Sequence, residues 1–228
     1  MAGAIWRGTV TTSTPIALGT LATAYVKAKM KVLAAGYVHE IIWQKSLRTE
    51  RLTERDLLKE CAWVILSSGM RESVVRKKFS GISDAFFGWS SAEVIVYYRA
   101  HCVSSALVLF GHKGKIEAIA ECARIIYEKG FESLRRELAS DPIDALQQFP
   151  YIGPATSYHV AKNIGFPVAK PDRHLRRFAE LSGYQSPSDL CKALADYIGD
   201  PIAVVDIVLW RFATLQHDYM TSFLRTGD

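Results

Sequence analysis

The sequence predicts an all-α fold, and three observations support this prediction. Apolar residues recur at helical spacing over residues 56–67, 115–129 and 203–215, each forming a stripe typical of a helix that faces a core. Gly130 follows the second stretch, as expected of a glycine that ends a helix. The alternation typical of a strand is scarce, and its best example, residues 94–98, is short.

The composition is that of a folded protein with a basic surface. The chain has 228 residues, of which 49% are hydrophobic, enough for one core or for two closely packed halves. Charged residues make up 22%, which argues against a disordered or fibrous chain. The formal net charge of +5 favours a polyanionic partner, either nucleic acid or an acidic membrane surface.

The cysteines and the N-terminal stretch indicate a soluble, cytoplasmic protein. Cys61, Cys102, Cys122 and Cys191 lie far apart without metal-ligand spacing, so we expect buried thiols and no metal or iron–sulfur cluster. Residues 15–26 are apolar, but they lack the basic region that precedes the apolar part of a signal peptide. No stretch has the length of a membrane span.

Residues 149–163, FPYIGPATSYHVAKN, predict two helices joined by a tight hairpin. Pro150 ends the first helix, Ile152 is apolar enough to enter the core, and Pro154 suits the first position of the second helix. Free amides at a helix start bind anions such as a nucleic-acid phosphate, and Gly153 would let that phosphate approach closely. An ordinary structural corner is the alternative.

Residues 149–156, FPYIGPAT, resemble the LPGxGxxT hairpin of the helix-hairpin-helix DNA glycosylases, the family of endonuclease III and the adenine and alkylpurine glycosylases. Residues 165–177, GFPVAKPDRHLRR, supply Asp172 where that family carries an aspartate. Upstream, residues 64–71 (VILSSGMR) and 112–119 (HKGKIEAI) are similar to two further family segments. The resemblance covers most of the chain, and its hairpin and aspartate form a specific pair.

This resemblance implies two helical subdomains separated by a cleft. Residues 52–166, including the hairpin, would form a helical barrel, and residues 1–51 together with 167–228 would form the second subdomain. The cleft would hold an extruded base with Asp172 at its mouth. The partner would be double-stranded DNA, bound by a nucleoid-associated monomer. No cofactor would be required, although the hairpin carbonyls of the family can bind a monovalent cation.

Three departures from the family motifs bear on the activity. Tyr151 replaces the first hairpin glycine, and Gly69 replaces a glutamine that helps fill the gap left by an extruded base. Met70 or Arg71 would then fill that gap. Ala155 stands where the bifunctional members carry a Schiff-base lysine, so the resemblance implies a monofunctional enzyme. Substitution by Lys162 or Lys170, which lie nearby in the sequence, is the alternative.

The resemblance identifies Asp172 as the catalytic residue. Cleavage of an N-glycosidic bond develops positive charge on the sugar, which a rigid carboxylate stabilises. Because Asp172 precedes HLRRFAEL, it is also placed to cap a helix, and the two roles are compatible.

The base pocket would be lined by residues that share helix faces near this carboxylate. The predicted lining residues are His159, Asp206, Trp210 and Ala155. A carboxylate in an apolar run needs a partner. Asp206 therefore either contacts the base or pairs with Arg211 or Arg177, with Trp210 as plain core. His159 alone fits a partly buried histidine equally well.

DNA contacts would come from the hairpin, the segment that fills the gap, and nearby cations. These residues are Tyr151, Ile152, Gly153, Thr156, Gly69, Met70, Arg71, His112, Lys115, Arg173 and Arg176.

Three functions remain open at this stage. The first is a monofunctional DNA glycosylase of base excision repair, for which Ala155 and residues 112–119 favour an alkylated purine. The second is a non-catalytic helix-hairpin-helix DNA-binding protein. The third is an unrelated all-α protein in which the hairpin is only a corner.

Overall fold

The computed structural model describes residues 16–224, and this part of the chain is helical without strands. The predicted all-α class is therefore confirmed. Residues 94–98, the best strand candidate, belong mainly to a helix. The described residues form fourteen α-helices: α1 Leu18–Ala34, α2 Val38–Ser46, α3 Glu54–Ser67, α4 Glu72–Ala85, α5 Ala92–Tyr97, α6 Arg99–Leu109, α7 Lys113–Lys129, α8 Phe131–Ser140, α9 Pro142–Gln147, α10 Pro154–Asn163, α11 Arg173–Ser182, α12 Pro187–Ile198, α13 Ile202–Leu215 and α14 Tyr219–Leu224.

Local sequence sets many of the helix ends. Thr53 and Asp56 form a reciprocal capping box at the start of α3, and Asp141 and Ser186 accept first-turn amides of α9 and α12. Gly130 ends α7 with a φ of +77°, a backbone conformation that glycine adopts without strain. The predicted helices at 56–67, 115–129 and 203–215 are all found, each with up to two more residues at its start.

The buried apolar residues form two separate clusters. The first cluster runs from Leu52 to Ile164, with α7 packed against α3, α5 and α6. The second combines residues 21–41 with residues 169–223, where α13 packs against α1, α2 and α12. The buried residues of the first cluster fall within the predicted subdomain 52–166, and those of the second cluster fall before and after it. Residues 1–15 and 225–228 of the predicted second subdomain lie outside the described residues.

Two connections cross from one cluster to the other, and they touch. Gly165, with a φ of +99°, lies against the backbone of Arg48 and Thr49. A Cβ atom at residue 165 would stand 3.1 Å from the Thr49 nitrogen and 3.2 Å from the Arg48 carbonyl carbon. Only glycine fits this crossing without strain or displaced backbone. The crossing holds the C-terminal end of α10 between the two clusters.

Over residues 16–224, no helix combines the length and apolarity needed to cross a bilayer.

Candidate active site

The hairpin between α9 and α10 presents its turn to solvent and anchors itself through one side chain. Ile152 is buried, and its amide donates to the Phe149 carbonyl at 3.1 Å. Its predicted insertion into the core is confirmed, so its side chain is not available to DNA. Tyr151 is half exposed and has a φ of +62°.

The start of α10 carries free backbone donors. Gly153 N–H donates to Thr156 Oγ1 at 2.8 Å, which fixes the first turn. Within residues 16–224, neither the Ala155 nor the Thr156 amide has a hydrogen-bond acceptor. A Cβ atom added at Gly153 would meet nothing within 4 Å, so the space beside these amides is open. Such a helix start attracts an anion through its amides and its dipole.

The hairpin rests on the first turn of α7. The Tyr151 hydroxyl lies so close to Gly114 that a Cβ atom there would be 2.5 Å away. The ring of His112 meets the Tyr151 ring edge-on at 6.4 Å between centroids. His112 is exposed, and its Nδ1 accepts from the Lys115 amide at 3.4 Å. His112 and Tyr151 thus stand side by side on one exposed surface.

Lys115 does not serve as the predicted phosphate contact. Its side chain is buried, and its ammonium donates to the Leu66 carbonyl at 2.9 Å and to the Ser68 carbonyl. Burial lowers the pKa of Lys115. Carbonyls at the end of α3 lack amide donors within the helix, and the Lys115 ammonium donates to them instead.

Lys115 therefore supports the segment that was predicted to fill the gap left by an extruded base. Gly69 turns the chain with a φ of +68°, and the Met70 amide donates to the Ser67 carbonyl at 3.1 Å. Both Met70 and Arg71 have exposed side chains. The segment is a hydrogen-bonded turn from which two long side chains extend into solvent.

Asp172 caps α11, as the sequence predicts. Its Oδ1 accepts from the amides of His174 at 2.9 Å and Leu175 at 3.1 Å. No donor in the described part of the chain reaches its Oδ2. The side chain is partly buried, and Arg173 and Arg176 of the same helix are exposed. One carboxylate oxygen is thus held rigidly while the other stays free.

Asp206 is buried, and both of its oxygens have partners inside the protein. Oδ1 accepts from the Lys162 ammonium, and Oδ2 accepts from the Lys170 amide at 2.7 Å. The predicted pairing with Arg211 or Arg177 is wrong. Arg211 pairs with Glu40, with 3.0 Å between its Nε and Oε2, and Arg177 donates to the Tyr219 hydroxyl at 3.4 Å. Asp206 joins α13 to α10 instead of offering a free carboxylate to a base.

Trp210 lies one turn beyond Asp206 and is partly buried against the second cluster. The Arg211 guanidinium lies 4.7 Å from the centroid of its ring and 4.2 Å from that of Tyr37. This contact is a cation–π interaction at the edge of the second cluster. It fits the alternative in which Trp210 serves packing.

His159 and Lys170 are partly buried and carry basic groups that the protein does not satisfy. No hydrogen bond within residues 16–224 reaches the His159 ring or the Lys170 ammonium. Burial lowers the pKa of His159, and the charges of Lys170 and Lys162 lower it further. Burial also lowers the pKa of Lys170, while the carboxylate of Asp172 acts against that shift.

Reasoning from the sequence did not identify the amide and carboxyl groups beside the Lys162–Asp206 pair. Asn163 accepts from Gln44 Nε2 at 3.1 Å and donates to Glu60 Oε2 at 3.0 Å. Burial raises the pKa of Glu60 to about 7. We call the following residues the polar junction: Gln44, Glu60, Lys162, Asn163, Lys170 and Asp206. Polar residues within the apolar run VAKNIGF were the one local signal of it.

A separate pocket of about 370 Å³ lies at the crossing of the two connections. Gln44, Arg48, Gly165 and Ile202 are among its lining residues, and none of the predicted site residues is. The pocket is therefore distinct from the surface on which Asp172 and the hairpin lie. The described residues also contain no group of three His, Cys, Asp or Glu side chains that could hold a metal ion.

Comparison with protein-family models, curated proteins and solved structures finds no match to this chain.

Proposed function

We propose that this chain is a monofunctional DNA glycosylase, which extrudes a modified base and hydrolyses its N-glycosidic bond to leave an abasic site. One observation carries the proposal. Asp172 is fixed through one carboxylate oxygen and keeps the other free. It stands at a helix start, in the segment that follows a hairpin with free amides.

The free oxygen of Asp172 supplies the negative charge that the reaction needs. As the bond to the base breaks, the sugar becomes an oxocarbenium-like cation, and a carboxylate beside it lowers the barrier. The same oxygen accepts a proton from the water that adds to C1′. The two amide bonds to Oδ1 hold the group in place before the substrate arrives.

The hairpin and its neighbours supply the grip on DNA. The amides of Ala155 and Thr156 bind a backbone phosphate, and Gly153 leaves room for it. Arg173 and Arg176 add positive charge on the exposed face of α11. Met70 or Arg71 enters the duplex where the base has left.

The same assignment predicts that no lyase step follows base release. Ala155 is exposed at the hairpin and carries no amine. The ammonium of Lys162 is held by Asp206. Lys170 is the remaining lysine of this segment, and borohydride trapping on abasic DNA tests whether it forms a Schiff base. Base release alone is the expected reaction, carried out by a monomer on double-stranded DNA at the cytoplasmic nucleoid without a required cofactor.

The test is single-turnover base release from a panel of duplexes that each carry one modified base. We expect the wild type to release one class of base and to leave strands that break only after alkali. Asp172→Asn should slow this release by about 10²- to 10³-fold. Salt-sensitive binding without release from any duplex would indicate the non-catalytic DNA-binding protein instead. Lack of binding at low salt would indicate an unrelated all-α protein.

A further inference from the structure

Helix α1 is apolar on the side that faces solvent as well as on the side that faces the core. The residues of its core side are buried: Leu21, Ala24, Tyr25, Ala28 and Val32. On the opposite side, Val26, Met30 and Leu33 follow the spacing i, i+4, i+7, and all three are exposed, Met30 to 64%. We call these three residues the α1 stripe. A helix that is apolar on both sides is typically covered on both, so the α1 stripe is a docking surface.

Two lysines run beside the α1 stripe without a carboxylate to neutralise them. Lys27 and Lys31 each follow a stripe residue by one position and are four residues apart, so they form a row along the same helix. Neither has an ion pair within the part of the chain that the structure describes, and the Lys31 ammonium lies 5.6 Å from the centroid of the Phe212 ring. The α1 stripe is therefore bordered by uncompensated positive charge.

The surface beyond the stripe adds a cavity and an exposed aromatic ring. A cavity of about 460 Å³ lies between the first turns of α1 and the end of α12, and Ala22, Val26 and Tyr197 are among its lining residues. The Tyr197 hydroxyl lies against Gly19, where an added Cβ atom would stand 3.6 Å away, and Tyr197 is 60% exposed. An aromatic ring that ends in a hydroxyl suits the boundary between an apolar and a polar medium.

We propose that the α1 stripe and its lysine row bind the surface of a bilayer that contains anionic lipids. Val26, Met30 and Leu33 enter the boundary between the headgroups and the acyl chains, and α1 lies along the surface. Lys27 and Lys31 extend beside them to the lipid phosphates, since a lysine stem can follow apolar surface while its ammonium stays in a polar layer. This inference does not depend on the proposed glycosylase function.

Charge separates this partner from the other occupants of an apolar stripe. Residues 1–39 contain no Asp or Glu, and Lys29 on the other flank of α1 already neutralises Asp200, with 2.6 Å between the charged atoms. A second copy of the chain would therefore place the same uncompensated lysines on both sides of an interface. Residues 1–15, whose only charged side chain is Arg7, cannot neutralise the row either. Duplex DNA supplies phosphates but no apolar layer for the stripe, whereas an anionic bilayer supplies both.

The experiment measures co-sedimentation of the full chain with two kinds of vesicle. One kind is phosphatidylcholine alone, and the other is phosphatidylcholine and phosphatidylglycerol in equal parts. The stripe variant carries Val26→Ser and Met30→Ser, and the lysine variant carries Lys27→Gln and Lys31→Gln. The melting temperature of each variant shows whether it is folded, and base release from DNA in the absence of vesicles is measured for each one separately.

We expect the wild type to bind the anionic vesicles at least tenfold more tightly than the neutral ones. The stripe variant should bind them at least about tenfold more weakly, and the lysine variant should lose about fivefold for each lysine removed. The matched controls are Val108→Ser on α6, where Val108 is 86% exposed, and Lys77→Gln at an exposed position on α4. Both controls should bind as the wild type does.

Three results would overturn the inference. Failure of the wild type to bind the anionic vesicles would exclude a bilayer and favour an acidic protein as the partner. Full binding by the stripe variant would mean that charge alone holds the chain on the vesicles. A dimer in sedimentation velocity that the stripe variant dissociates would identify a second copy as the occupant. Base release remains a separate readout, so loss of vesicle binding with normal release would leave the proposed function intact.

Discussion

The two ends of α10 differ in nearly every physical respect. At its start, Tyr151 and Ala155 are exposed, and the amides of Ala155 and Thr156 have no acceptor in the part of the chain described. At its end, Lys162 and Asn163 are buried and paired with side chains from α13 and α3. One short helix therefore has free amide donors at one end and buried side chains paired within the fold at the other.

This difference shows how the proposed phosphate-binding start of α10 is held in place. Free amides bind a phosphate well only if the helix that carries them does not shift. The polar junction holds the far end of α10 against both hydrophobic clusters, and Ile152 holds the near end. Damage to the buried end should therefore appear as lost stability, and damage to the exposed end as lost DNA binding.

The largest effect is expected from breaking the buried ion pair. Lys162→Met leaves the Asp206 carboxylate buried without its cation, which should lower the free energy of unfolding by about 3–5 kcal/mol. Chemical denaturation measures this loss. Adding Asp206→Asn should recover part of it, because no uncompensated buried charge then remains. The exposed pair Lys192–Asp196 gives the control, and Lys192→Met should change stability by about 0.5 kcal/mol or less. Equal losses for the two lysines would refute the comparison.

Alanine substitutions at two glycines, one before and one after α10, should distinguish the two ends of this helix further. Gly165→Ala forces a Cβ atom against the backbone of Thr49 at a φ of +99°, so we expect a loss of about 2–3 kcal/mol in the free energy of unfolding. Gly153→Ala meets open space at a φ of −101°, so it loses only the preference of an N-cap for glycine over alanine and should cost about 0.5–1 kcal/mol. Gly153→Ala should instead lower the affinity for DNA, which fluorescence anisotropy measures. A Gly153→Ala protein that melts early but binds normally would reverse the two assignments.

The smallest effect is a pH dependence at the buried end. Burial raises the pKa of Glu60 to about 7 in the folded state, above its ordinary value near 4.5. The folded protein then binds more protons than the unfolded chain between these values, so this carboxyl stabilises the fold at low pH. That contribution is lost as the pH rises from about 4.5 to 7.

Glu60→Gln stays neutral throughout, so it should be more stable than wild type by about 1–2 kcal/mol at pH 8 and equal to it at about pH 4. Denaturation curves at the two pH values test this. An equal difference at both would mean that Glu60 does not titrate in this range.

Local sequence patterns were enough to predict several of the helices and the turn between α9 and α10. Apolar periodicity and proline and glycine positions act over a few residues, so the all-α class, the cap on α11 and the burial of Ile152 could be predicted and are confirmed. The likeness to a glycosylase hairpin stays a prediction.

Side-chain partners far apart in the chain could not be predicted. The Lys162–Asp206 pair spans 44 residues, and the Lys115 contact with the Leu66 carbonyl spans 49. Sequence alone identified Asp206 as needing a partner and Lys115 as a cation. Which groups meet is decided by how α10, α13, α7 and α3 pack, and no local pattern encodes that geometry.

The most direct test of the account separates the two roles of Asp172. Asn caps helices about as well as Asp, so Asp172→Asn should keep the melting temperature within about 2 °C of wild type while slowing single-turnover base release by about 10²- to 10³-fold. Asp141, which caps α9 through Oδ1 with 3.0 Å bonds to the Ile143 and Asp144 amides, provides the matched control. Asp141→Asn should leave both quantities unchanged. A folded Asp172→Asn protein that releases base at the wild-type rate would contradict the assignment of Asp172 as the catalytic residue.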